Sequence, residues 1–65
     1  MKVTHKFEHC ASRTKTVHVE EIHPSEDDNK VLDFALEAVS ETRSSTFGAD
    51  IDRRGSKAIV HIYTD

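Results

Sequence analysis

The chain reads as an α+β domain in ββαββ order: a four-stranded, mainly antiparallel sheet with one amphipathic helix packed on one face. Three observations predict this. Residues 2–10 and 15–22 alternate in the period-2 pattern of half-buried strands. Residues 26–42 carry apolar side chains at helical spacing. Residues 47–51 and 58–63 return to alternation. One domain over residues 1–65 accounts for the whole chain.

In the first strand Val3, His5, Phe7 and His9 share one side, and Lys2, Thr4, Lys6 and Glu8 the other. The second strand places Val17 and Val19 on one face. A three-residue loop at 12–14 matches the two apolar sets, with Phe7 opposite Val19 and His9 opposite Val17. Pro24 ends the hairpin. Ser25 then serves as N-cap, and Glu26, Asp27 and Asp28 favour the positive end of the helix dipole. Over 26–42, Val31, Leu32, Ala35, Ala38, Val39 and Thr42 form the apolar face, with Phe34 and Leu36 at its edges. Asp33, Glu37, Ser40 and Glu41 face water. Phe47 and Ile51 of the third strand complete the core with Val60 and Ile62 of the fourth. Residues 52–56 form the turn, where Gly55 supplies a positive φ. Two antiparallel strand orders satisfy this pattern.

Composition bounds the function. Sixty-five residues bury only about 60% of the unfolded surface, so added reinforcement is expected. Cys10 is the single cysteine, which excludes an intramolecular disulfide and reads as a reducing, cytoplasmic setting. No apolar run spans a bilayer and no signal-like stretch opens the chain, so no membrane partner is expected. The ends read as those of a complete small gene product.

Charge is segregated: residues 1–19 carry a net +3, residues 20–42 a net −7 and residues 43–65 a net +1, which together give −3. Five histidines add a pH response, because a free imidazole titrates near ~6.5 and full protonation would bring the net charge to +2.

His5, His9, Cys10, His18 and His23 are zinc-ligand types, but their spacing does not make one site. Residues 5 and 9 of one strand lie about 13 Å apart at ~3.3 Å per residue, and His9 and Cys10 point to opposite faces. No metal or other cofactor is assigned. Catalysis is not expected either. Residues 53–57 lack the glycines of a phosphate loop, no nucleophile elbow occurs, and so short a chain hardly encloses a pocket.

Two surfaces remain. The wet helix face, Asp33, Glu37 and Glu41, suits a basic partner. The uncovered sheet face, with Ile22, Ile59, His61 and Tyr63, suits a partner protein or a homodimer, because large apolar residues on an open sheet mark interfaces. Lys2, Lys6, His18, Lys57 and Tyr63 on that same face also suit single-stranded nucleic acid, through stacking and phosphate contact. Glu8, Glu20, Asp50 and the negative net charge oppose that alternative.

The hairpin–helix–hairpin layout is similar to that of many small regulatory and phage-encoded inhibitor proteins. The resemblance implies an inhibitor or adaptor that occupies a partner protein's surface. The leading expectation is therefore a non-enzymatic protein-binding module. Single-strand nucleic-acid binding is one alternative, and a weak histidine-based metal or pH response is another.

Overall fold

A computed structural model describes residues 1–9 and 13–64. Cys10 and Ser12, on which the readings of the lone thiol and of the first loop rest, lie outside them. The described elements are β1 (Lys2–His9), β2 (Thr14–Glu20), α1 (Asp28–Ala38), a short 3-10 turn (Arg43–Ser45), β3 (Thr46–Arg54) and β4 (Lys57–Thr64). All neighbouring strands are antiparallel, in the order β1-β2-β4-β3. The ββαββ architecture expected from the pattern is thus present, and the strand order is resolved.

The core lies between the two central strands and the helix. Val17 and Val19 of β2 meet Ala58, Val60 and Ile62 of β4, and Val31, Ala35 and Leu36 of α1 close over them. Burying the Val, Ile and Leu side chains among these on one face holds the helix to the sheet, since each contributes roughly 1.5–3 kcal/mol on leaving water. Val3, Leu32, Phe34, Val39, Ala49 and Ile51 pack around the margin.

Helix α1 is shorter than its apolar pattern. Asp27, not Ser25, is the N-cap, and its side chain accepts from the Lys30 amide at 2.9 Å. Ser25 instead closes a turn with His23, its hydroxyl 2.7 Å from the His23 Nδ1. At the other end Ser40 takes a left-handed φ of 58°. The Ser40 amide then donates to Glu37 and the Glu41 amide to Leu36, at 3.1 and 2.9 Å. This Schellman arrangement satisfies the last carbonyls and stops the helix at Ala38. Glu41 and Thr42 therefore lie beyond the helix, and Leu36 moves from the edge of the apolar face into the core.

Three departures from strict alternation redistribute the remaining side chains. A bulge between Val3 and His5 shifts the β1 register, so that Val3 pairs with Val19 but His5 pairs with His18, Lys6 with Val17 and Phe7 with Thr16. One extra residue reverses every later side chain. Phe7 leaves the expected core and is 48% exposed, and His9 pairs with Thr14 instead of Val17. A second bulge between Thr46 and Gly48 leaves Phe47 outside the core, 76% exposed. Third, Glu21 adopts a positive φ of 58°. It turns the chain inward after β2, so Ile22 is buried rather than on the open face, and its amide donates to the Ser56 carbonyl at 2.9 Å.

The second hairpin turns more tightly than expected. Strand β3 continues through Arg54, leaving Gly55, at φ 63°, and Ser56 as a two-residue loop. Arg53 pairs with Ala58 on the helix side. Its guanidinium donates to the carbonyls of His23 and Glu26 and approaches Asp28 at 3.5 Å, fastening the segment that leads into α1.

Substitution separates the true core from the sequence-expected one. Ile62→Ala should cost about 2–4 kcal/mol in urea unfolding, whereas Phe47→Ser should stay within about 0.5 kcal/mol of the parent.

Candidate binding surface on the open sheet face

The face of the sheet opposite α1 has no covering element among the described residues. Register fixes what it displays. Each row crosses the sheet from β1 through β2 and β4 to β3. One row holds His5, His18, Ile59 and Asp52. The next holds Phe7, Thr16, His61 and Asp50, and a third holds His9, Thr14, Tyr63 and Gly48. Lys2, Glu20, Lys57 and Arg54 form the fourth row, at the end near the Gly55–Ser56 turn.

The rings are organised rather than scattered. His5 and Phe7 lie parallel with centroids 6.1 Å apart, and His18 meets each edge-on at 5.6 and 5.8 Å. Such contacts add stabilisation beyond area burial and hold the rings in place. Thr16, 7% exposed, sits beneath His9 and His61. Its hydroxyl lies 3.3 Å from His9 Nε2 and 3.2 Å from His61 Nδ1, so one oxygen links both imidazoles. On the far side Tyr63 donates its hydroxyl to Asp50 at 2.7 Å. This hydrogen bond to the carboxylate, reinforced by burial and by the negative charge, raises the Tyr63 phenol above its ordinary value.

A shallow groove of about 340 Å³ runs beside the rings. Thr4, His5, His18 and Ile59 line it, and Glu20, Lys57, Asp52 and Arg54 rim it. The rim charges pair locally: Lys57 lies 3.5 Å from Glu20 and Arg54 lies 3.4 Å from Asp52.

Ile59, His61, Tyr63, His18, Lys2 and Lys57 occupy the face expected for them. Ile22 does not, because of Glu21. Lys6 and Glu8 do not, because the bulge turns them toward the helix side. Lys6 Nζ donates to the Ala38 carbonyl at 3.2 Å, placing a cation at the negative end of the helix dipole. Alternation from Val3 predicts His5, Phe7 and His9 on the inner face. The only apolar residue of β1 after Val3 is Phe7, and its phase with Val3 points inward, so nothing in the alternation marks the bulge.

The acidic helix surface is largely matched by bases from elsewhere in the chain. Asp33 pairs with Arg43 at 2.8 Å and Asp28 with Arg53 at 3.5 Å. Glu41 pairs with Lys15 at 2.6 Å, both side chains about 80% covered at 18% and 20% exposure, and it also accepts from Ser45 at 2.7 Å. The Lys15 bond, aided by the Ser45 hydroxyl, holds the Glu41 carboxyl below its ordinary range, and the Glu41 bond raises Lys15. Glu37 remains exposed on α1. Asp33, Glu37 and Glu41 are thus not one acidic patch.

Among the described residues, no three His, Cys, Asp or Glu side chains converge as a metal site, and no helix is long and apolar enough to cross a membrane. Comparison with models of known protein families, with curated proteins and with solved structures finds no significant match in any of the three.

Two titrations check this geometry. Tyr63 is the only tyrosine, so ultraviolet absorbance reports it alone. Its midpoint should lie above the ordinary value of about 10, and Asp50→Asn should return it toward that value. The Lys15–Glu41 pair should stabilise the fold at neutral pH. The Glu41 share fades as pH falls through its lowered folded pKa, and the Lys15 share as pH rises through its raised one. Glu41→Gln should therefore lower Tm at pH 7, with the difference from the parent closing in acid.

Proposed function

We propose that the protein is a non-enzymatic binding module that docks its open sheet face against the surface of another protein. The observation that carries this reading is the ordered ring cluster of His5, Phe7 and His18, continued by Ile59, His61 and Tyr63 across β1, β2 and β4. A small domain leaves such rings uncovered at a cost in stability, and covering them returns that stability on binding. Aromatic side chains supply large contact area for little loss of rotamer freedom, which suits the centre of an interface. The wet helix surface is the weaker candidate, because three of its carboxylates already have basic partners.

Binding of single-stranded nucleic acid draws support from the same rings and from Lys2, Lys57 and Arg54. Lys6, one of the expected phosphate contacts, lies on the other side of the sheet, and Glu20 and Asp52 offset two of the remaining cations. Protein docking is the better supported of the two.

Affinity capture from lysate separates the surfaces. Proteins held by the parent and by Glu37→Lys should be lost with Ile59→Lys, and nuclease should not release them. Loss with Glu37→Lys alone would move the site to the helix, and release by nuclease would favour the nucleic-acid reading.

A further inference from the structure

Resting on the reading of the open face as a docking surface, we propose that its occupant is a second copy of this chain, packed sheet to sheet in a two-fold homodimer. The charge on the face supports a self-partner. Lys2, Arg54 and Lys57 are balanced by Glu20, Asp50 and Asp52, three against three, so the net −3 of the chain lies elsewhere on the molecule. This is the side on which two identical acidic molecules approach without net repulsion, whereas like charge elsewhere opposes contact.

The distribution across the strands is also self-complementary. Strand β1 displays His5, Phe7 and His9 and no carboxylate, while β3 displays Asp50 and Asp52 and no histidine. The order β1-β2-β4-β3 puts these two strands at opposite edges. A two-fold axis lying in the interface along the strands sets β1 of each copy over β3 of the other, and β2 over β4. Row for row, His5 of each copy then faces Asp52 of the other, Glu20 faces Lys57, and Ile59 faces His18 near the centre. At the end near the turn Lys2 lies over Arg54 of the other copy, and Glu20 beside them offsets part of that like charge.

The area is just sufficient. The molecule's longer dimensions are 33 and 21 Å. A sheet of four strands at ~4.8 Å spacing and seven or eight residues' length at ~3.3 Å per residue offers a footprint of roughly 450–500 Å² per copy. A pair buries about 900–1,000 Å², at the lower bound of about 1,000 Å² for a specific interface. Dimerisation also supplies the reinforcement that a chain of 65 residues lacks without a disulfide.

Sedimentation velocity near neutral pH, across a wide concentration series, tests this. The parent should reach twice the 7.4 kDa chain mass. Ile59→Lys, and Phe7→Glu at a half-exposed position, should each weaken association at least tenfold, while Glu37→Lys and Phe47→Ser should leave it unchanged. Circular dichroism identifies any variant that fails to fold, and the two open-face variants on different strands guard against that loss. A parent that stays monomeric throughout overturns the homodimer, as does a dimer that dissolves on Phe47→Ser but survives both open-face changes. A monomeric parent whose captured partners are still lost with Ile59→Lys defeats self-association alone. Loss of that Ile59 dependence as well defeats the docking face itself.

Discussion

The β1–β2 register, with its bulge between Val3 and His5, is the constraint on which the surface chemistry depends. Val3 points inward against Val19, as an edge strand over a small core requires. If alternation continued from there, His5, Phe7 and His9 would lie beneath the helix, where imidazoles need buried partners. The extra residue turns them outward and brings Lys6 and Glu8 to the helix side. Lys6 then caps the Ala38 carbonyl, while Glu8 approaches Lys15 at 3.8 Å. One local irregularity therefore creates the ring cluster on one face and places charge at the helix end on the other. Bulged edges also resist open-ended strand pairing, and both edge strands here carry one.

Charge that is segregated along the sequence is interleaved in space. The acidic middle segment draws Lys15 from the first basic segment and Arg43 and Arg53 from the last. Exposed pairs of this kind contribute little individually. Their arrangement matters more: Arg53 ties β3 to the approach to α1, and Lys15 ties β2 to the residues just after it. The helix is held at both ends by polar contacts and along its length by the core. Among the described residues, no element covers the open face.

Much of the fold was legible in the sequence because the central strands obey strict alternation. Val17, Val19, Val60 and Ile62 are completely buried, and Ile59, His61 and Tyr63 stand on the opposite face. The edges were not legible, and the reason is physical. Beyond Val3 the only apolar residue of β1 is Phe7, in phase with Val3, so the hydrophobic pattern turns it inward and gives no sign of the bulge that reverses it. Phe47 is aromatic and in phase with Ile51, but a bulge interrupts that phase. Ser40 and Glu21 turn the chain with left-handed backbone that composition does not announce, since glycine is the residue that marks such positions. The same gaps hid half of the candidate surface: His5, Phe7 and His9 join it only through the bulge.

The facing of Phe7 is the most direct probe of this account. In a nuclear Overhauser spectrum its ring protons should connect to His5, His18 and the Thr16 side chain, with no contact to the methyl groups of α1. Strong contacts from Phe7 to Val31, Leu36 or Val19 would place it under the helix and contradict the arrangement of the open face.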